Sequence, residues 1–191
     1  FSWYLDIACD DWDALVLNDY EAVMPLPFKI KKIKKYIFPP YFVPQLGVFS
    51  KEPITEDLLM QFINAIPSEY MFAEIRLNTQ THAPKKIEAE TNRTFLLELV
   101  EPYEQLYAKY SQNTKRNIKK AEQSGLQIHN SGSIPNLIKL FRNSNIAKKS
   151  NFKDQDYRRL EKLMYVHLSM HFGQILMVYD KQNTLQAGAF F

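Results

Sequence analysis

Four cationic side chains fall on one face of a predicted helix in the second half of the chain. The helix is expected over residues 112–124, with Ser111 as its cap and Gly125 as its C-terminal stop. At about 100° per residue the four cations share an arc of about 140°. This cationic helix face consists of Lys115, Arg116, Lys119 and Lys120. Arginine binds phosphate in a bidentate way and lysine acts as a point charge, so the face is a candidate site for phosphate or an anionic substrate. Ile118 and Ala121 fall on the opposite side, which is expected to dock on the protein. The alternative for the cationic face is an ordinary solvated helix surface.

A second group of lysines lies in the first quarter of the chain. Its members are Lys29, Lys31, Lys32, Lys34 and Lys35, interleaved with Phe28, Ile30, Ile33 and Tyr36. One interpretation is an edge strand whose lysines discourage aggregation. Another is a polyanionic partner, such as tRNA or a nucleotide-linked substrate, with Lys31 and Lys32 as candidate phosphate contacts. Attraction to an anionic membrane surface is a third interpretation.

Two histidines, His167 and His171, are spaced four residues apart in another predicted helix. Histidines at this spacing can bind a metal ion from one helix face, but no glutamate follows His167 as in the His-Glu-x-x-His pattern. Both fall in the apolar arc of the helix, together with Tyr157 and Met164. A packed or cleft-lining pair fits this position better, and no metal site is predicted.

No residue can be assigned a catalytic role from spacing alone. The sequence has no Gly-x-Ser-x-Gly nucleophile elbow and no P-loop. The single cysteine, Cys9, cannot form an internal disulfide, which fits a reducing compartment, and it is interpreted as a buried structural thiol. A cytoplasmic location is therefore expected.

The composition predicts a folded domain protein. Hydrophobic residues make up 46% of the 191 residues, and the net charge is only +3, which gives no global case for nucleic-acid binding. No run of about 18 apolar residues occurs, so stable membrane insertion is not expected. Residues 1–5 do not have the pattern of a signal peptide.

The elements that must position these side chains are a mixture of strands and helices. In the first part, strands are expected at residues 14–17, 21–32, 36–38, 48–49 and 70–77, and a helix at residues 56–66 with Thr55 as its cap. Because proline cannot donate to a strand ladder, Pro25 and Pro27 place the second strand at an edge or a bulge. The polar stretch of residues 78–92 is the expected domain boundary.

The second part alternates in the same way. Strands are expected at residues 94–100, 126–130, 174–180 and 185–191, and helices at residues 101–110, 112–124, 134–147 and 154–172. The predicted fold class is α+β, with a mixed and mostly antiparallel sheet flanked by helices. The predicted domains are residues 1–92 and 93–191.

The segment over residues 94–125 resembles the Fem-like branch of the GNAT superfamily of acyltransferases. The resemblance depends on Thr-Phe-Leu-Leu-Glu-Leu at residues 94–99 and on an Arg-Asn-Ile-basic-basic-Ala-Glu-x-x-Gly element. The residues that match this element are Arg116, Asn117, Ile118, Ala121, Glu122 and Gly125. In that family the element leads into the second of two GNAT-like domains. Residues 1–92 resemble the first, degenerate half more loosely.

The resemblance implies an N-acyltransferase. The expected donor is an acyl-CoA or an aminoacyl-tRNA, and the acceptor is an amine on a small molecule or a peptidoglycan precursor. The second helix of a GNAT-like domain borders the acceptor pocket, so the resemblance also implies that His167 and His171 line this pocket. Because no Gly-rich cofactor loop occurs in residues 1–191, the chain is expected to be a fragment with a truncated second domain. The alternative function is a non-catalytic GNAT-like binding module for an anionic ligand.

Overall fold

The computed structural model describes residues 1–191, and the chain divides into two compact units. The first unit comprises Phe1–Glu90 with Asp154–Leu163, and the second comprises Thr91–Lys153 with Met164–Phe191. Both combine helices with a sheet, which confirms the predicted α+β class. The predicted domains place residues 154–163 in the second half, whereas the structure places them in the first unit. There Arg159 forms an ion pair with Asp10.

The first unit is built on a five-stranded sheet. Its elements are α1 (Ser2–Ala8), β1 (Asp11–Leu17), β2 (Ala22–Lys31), β3 (Lys34–Ile37), β4 (Phe49–Ser50), α2 (Glu56–Asn64) and β5 (Tyr70–Ala73). The strand order is β1-β2-β3-β5, and β4 also pairs with β2. Every pair is antiparallel except β3 with β5, which is parallel. The sheet is therefore mixed and mostly antiparallel, as predicted.

Strand β2 is central in this sheet, so the prediction of an edge strand is wrong for the strand as a whole. On the side away from β1, β2 pairs with β4 only at residues 22–23 and with β3 only at residues 28–31. Pro25 and Pro27 lie in the gap between these two partners. The Pro27 carbonyl accepts a 3.1 Å hydrogen bond from the Phe38 N–H, on the β3 side. Both proline nitrogens therefore face the gap, where no ladder bond is lost.

Alternate residues of β2 form the centre of the first core. Met24 and Leu26 are fully buried, and Phe28 is nearly so. Helix α2 packs the side chains of Leu59 and Phe62 into the same cluster. The side chain of its cap, Thr55, accepts a 3.2 Å hydrogen bond from the Leu58 N–H, so the predicted cap is confirmed.

The second unit is built on a three-stranded antiparallel sheet in the order β6-β7-β8. Its elements are α3 (Tyr103–Lys109), α4 (Gln112–Gln123), β6 (Gln127–His129), α5 (Ile134–Arg142), α6 (Asn145–Lys149), the last residues of α7 (Asp154–Ser169), β7 (Ile175–Tyr179) and β8 (Leu185–Phe190). Met177 at the centre of the sheet is fully buried. A Cβ atom added at Gly188 would lie 2.7 Å from Cδ1 of Leu137, so α5 packs closely on β8.

The predicted strand over residues 94–100 is wrong. This segment has no regular structure, and its large apolar side chains are exposed. The exposed fractions are 89% for Phe95, 90% for Leu96, 59% for Leu97, 77% for Leu99 and 92% for Val100. A strand needs a neighbour to pair with, and no strand in the structure lies alongside this segment.

Two predicted helices end earlier than expected. The helix predicted over residues 134–147 is two helices, because Ser144 caps α6 by accepting a 3.2 Å hydrogen bond from the Ala147 N–H. Helix α7 ends at Ser169, and His171 beyond it has a φ of 57°. That left-handed conformation is incompatible with a continuing helix.

Candidate anion-binding sites

The lysines of the first unit lie on a β-hairpin with a two-residue turn. Lys31 and Lys34 are paired at the end of the ladder between β2 and β3. Lys32 and Ile33 form the turn, with φ angles of 48° and 64°. Positive φ at both central residues defines the type I′ turn that matches the twist of paired strands. We call residues 29–36 the lysine hairpin.

Three cations at the tip of the lysine hairpin have no counterion. Lys31, Lys32 and Lys34 form no ion pair or hydrogen bond with their ammonium groups, and with Tyr36 they line an open depression of about 390 Å³. Lys35 differs, because its ammonium lies 2.8 Å from Oε1 of Glu69. The tip is therefore a concentrated, uncompensated positive patch.

The residues at the tip act against local stability. Like charges directly opposite each other in a ladder are destabilising, and Lys31 faces Lys34. A β-branched residue at positive φ is strained, yet Ile33 occupies a turn position that suits Asn or Gly. Ile33 is 98% exposed, so no packing compensates for its strain. Sites that violate local rules in this way are where functional constraints are expected.

The cationic helix face of the second unit is only partly formed. Helix α4 begins as predicted, since the Ser111 side chain accepts a 3.1 Å hydrogen bond from the Thr114 N–H. Lys115 turns back to α3, where its ammonium donates to the Ala108 carbonyl at 2.7 Å. That ammonium also lies 5.6 Å from the ring centroid of Tyr107. Arg116 donates to Oδ1 of Asn113 at 2.7 Å.

Lys119 and Lys120 remain available on α4. Both are exposed, and their ammonium groups form no hydrogen bond or ion pair. The expected docking of the opposite face is wrong: no residue of α4 is buried, Ile118 is half-buried and Ala121 is exposed. The helix therefore lies on the surface and presents two unpaired cations to solvent.

The C-terminal stop of α4 is confirmed. Gly125 follows the last helical turn with a φ of 67°, the left-handed conformation that closes many helices. The Lys181 side chain covers the position where a Cβ atom would stand. The chain thus leaves α4 in a fixed direction and enters β6.

The structure does not bring His167 and His171 together on one helix face. His167 is half-buried in the last turns of α7, and its ring lies edge-on to Phe190 with a centroid separation of 6.3 Å. His171 lies beyond the end of α7 and is exposed. The i, i+4 relationship expected from a longer helix is therefore wrong. The lining of an acceptor pocket by these residues stays a prediction.

The other side chains considered as catalytic or metal-binding groups form neither a metal site nor a reactive thiol. No group of three or more His, Cys, Asp or Glu side chains is arranged to hold a metal ion. Cys9 is buried, as predicted, and its thiol donates to the Leu5 carbonyl at 3.1 Å. Burial raises the pKa of the Cys9 thiol to about 11. It therefore stays protonated, whereas a nucleophilic cysteine needs a lowered pKa.

Sequence reasoning identified the lysines of the hairpin but missed the role of Ile33. The strands predicted over residues 21–32 and 36–38 do not meet at a two-residue turn, and Lys32-Ile33 is not one of the pairs that mark such a turn. A side chain at the tip of such a turn has no neighbour to pack against. Ile33 therefore had to be exposed, even though it is apolar.

Comparisons of the chain with protein-family models, with curated proteins and with solved structures give no match. Among the helices of the structure, none combines the length and the apolar character that crossing a bilayer requires.

Proposed function

We propose that this chain is part of an N-acyltransferase with two GNAT-like halves, which transfers an acyl or aminoacyl group to an amine. The observation that carries the proposal is the arrangement of the second unit. After the stop at Gly125, β6 is followed by helices and then by the β7–β8 hairpin. β6 pairs antiparallel with β7, and β7 pairs antiparallel with β8. A strand, helices and then antiparallel strands is the order in which a GNAT domain begins.

The cationic residues of α4 support a phosphate-bearing donor. Acyl-CoA and aminoacyl-tRNA differ in their reactive bond, a thioester or an ester, but both carry phosphates. Lys119 and Lys120 are exposed and unpaired, so they can bind phosphate oxygens without breaking an existing contact. The reaction itself needs the amine held next to the carbonyl carbon and a base or water to accept its proton.

A non-catalytic anion-binding module is the second candidate. One observation favours it: no Asp, Glu or His side chain of the second unit is buried, whereas a general base is usually held in a partly desolvated cleft. The two functions predict the same ligand contacts on α4 and differ only in whether transfer follows binding.

The test uses the longest natural protein that contains residues 1–191. Binding of acetyl-CoA and of charged tRNA is measured for the wild type and for Lys119→Gln/Lys120→Gln. The matched control is Lys85→Gln/Lys86→Gln, an adjacent exposed pair outside α4. For tRNA, the slope of log affinity against log salt is expected to fall by about one for each α4 lysine removed. The control is expected to leave the slope unchanged.

Transfer of a labelled acyl group to amine acceptors then separates the two candidates. Transfer supports the acyltransferase, and tight binding without transfer to any amine tested supports the binding module. If neither donor binds, or if both double variants behave alike, the proposed role of α4 is wrong.

A further inference from the structure

We infer that the tip of the lysine hairpin docks on an anionic lipid surface. Ile33, and Ile30 behind it, would enter the boundary between headgroups and acyl chains. Lys31, Lys32 and Lys34 would contact the lipid phosphates and carboxylates. This surface lies in the first unit and involves neither α4 nor the donor discussed above, so the inference is independent of the acyltransferase proposal.

The first support is the exposure of apolar groups at the tip. Ile33 is 98% exposed and Ile30 is 60% exposed. One exposed isoleucine is ordinary on a protein surface, but an isoleucine at the extreme end of a hairpin cannot be covered by its own fold. Binding to a partner that buries Ile33 would therefore be stabilised by the hydrophobic effect, which Ile33 does not contribute to the fold itself.

The second support is charge. Residues 22–51 contain no Asp or Glu, and the three tip lysines have no counterion. Basic residues close to an anionic membrane each strengthen binding, and long lysine side chains can keep their charge among headgroups while their stems contact apolar groups. Positive charge around an apolar tip complements the layered chemistry of a lipid surface.

A nucleic acid fits these residues less well. Phosphate contacts would use the lysines but would leave Ile33 in water. Single-stranded bases bind by stacking on rings, and Ile33 has none. The only aromatic residue at the depression, Tyr36, is half-buried. An anionic lipid surface can bind both the unpaired lysines and the exposed Ile33.

The local strain indicates that Ile33 is not required by the fold. Asn or Gly would adopt its φ of 64° more readily. Ile33→Asn is therefore expected to keep or raise the melting temperature of the protein. The same substitution removes the apolar anchor, so stability and lipid binding should change independently.

The experiment is co-sedimentation with vesicles of phosphatidylcholine containing about 30% phosphatidylserine, compared with vesicles of phosphatidylcholine alone. The wild type is expected to bind the anionic vesicles, and added salt should weaken binding. Ile33→Asn should weaken it about fivefold or more. Lys31→Gln/Lys34→Gln should weaken it by about fivefold for each lysine.

The chain offers a matched control on α6. Ile146 is 71% exposed and lies next to Lys148 and Lys149. Ile146→Asn and Lys148→Gln/Lys149→Gln remove the same chemistry from another surface, and both are expected to leave vesicle binding unchanged.

Three results would overturn the inference. The first is no binding to anionic vesicles, and the second is equal binding by Ile33→Asn and the wild type. The third is binding to a short RNA that depends on Lys31 and Lys34 but not on Ile33, without vesicle binding, which would assign the tip to a nucleic acid. None of these results bears on donor binding at α4, so this inference and the acyltransferase proposal can fail separately.

Discussion

The hydroxyl of Tyr70 donates a 2.6 Å hydrogen bond to Oδ2 of Asp13, and the two residues are 57 positions apart in the sequence. Tyr70 begins β5 and Asp13 lies in β1, so this side chain bonds to a strand that is not a neighbour of its own in the sheet. On its way its ring lies edge-on to Phe28, with the centroids 5.6 Å apart. One buried side chain thus connects strands that do not pair with each other.

Replacing Tyr70 by Phe is expected to lower the free energy of unfolding by about 1 kcal/mol at neutral pH, because one hydrogen bond to a carboxylate is lost while the ring packing stays. Urea denaturation measures the change. The matched control is Tyr36→Phe on the adjacent β3, since the Tyr36 hydroxyl has no hydrogen-bond partner in the structure. A loss as large in the control would show that the bond to Asp13 is not the cause.

The same pair predicts a dependence on alkaline pH. Burial raises the pKa of Tyr70 above its ordinary value of 10.0, and the hydrogen bond to Asp13 raises it further. The folded protein therefore keeps this proton at pH values where the unfolded chain has lost it. The contribution is complete below about pH 10 and is lost as the pH rises through the folded pKa. The stability difference between wild type and Tyr70→Phe should narrow above pH 10, and an unchanged difference would contradict the assignment.

Gly125→Ala is expected to destabilise the second unit by about 1–2 kcal/mol. Alanine is strained at a φ of 67°, and its Cβ atom would displace the Lys181 side chain. Thermal unfolding of the variant measures the cost. Adding Lys181→Ala to Gly125→Ala should recover only the steric part, because the backbone strain remains. Full recovery would show that the left-handed conformation is not what requires glycine.

Asp180 predicts a dependence on acid pH. Its carboxylate accepts hydrogen bonds from the backbone N–H groups of Thr184 and Gln182, at 2.8 and 2.9 Å, and from the Gln186 side chain. The bond from Thr184 is the main cause that lowers the pKa of Asp180 below its ordinary 3.8. Its contribution to stability is present above that value and is lost as the pH falls through the folded pKa.

Asp180→Asn keeps an acceptor oxygen in this turn but removes the charge. The variant should melt at a lower temperature than the wild type at about pH 7, and the difference should shrink at about pH 3. Thermal unfolding at both pH values measures this. If the difference does not change with pH, the charge of Asp180 is not its cause.

The variants Leu96→Lys and Leu99→Lys test whether residues 94–100 form a packed strand, as the sequence predicts, or an exposed segment, as in the structure. Both leucines are largely exposed, so each variant should change the free energy of unfolding by less than about 0.5 kcal/mol. Solubility should rise, since an exposed apolar run with strand character favours aggregation. A loss of about 2 kcal/mol or more would mean that these side chains are packed in solution as a strand would pack them.

The sequence was most informative where one local interaction decides the structure. The caps at Thr55 and Ser111 and the stop at Gly125 all follow from neighbours within a few positions. It failed where the outcome depends on distant partners. Residues 94–100 have the composition of a strand but no strand to pair with. Likewise, helical periodicity places the four cations of α4 on one face. Which of them are unpaired depends on α3, whose Ala108 carbonyl binds Lys115.

The two prolines of β2 also determine whether a strand from another molecule can pair with this sheet. Between the ends of β3 and β4, the unpaired side of β2 carries proline nitrogens, which have no hydrogen to donate. A foreign strand at this gap would find no donor at Pro25 or Pro27, and the Pro27 carbonyl already accepts from the Phe38 N–H. The gap is therefore chemically closed to strand exchange and cannot act as a template for aggregation.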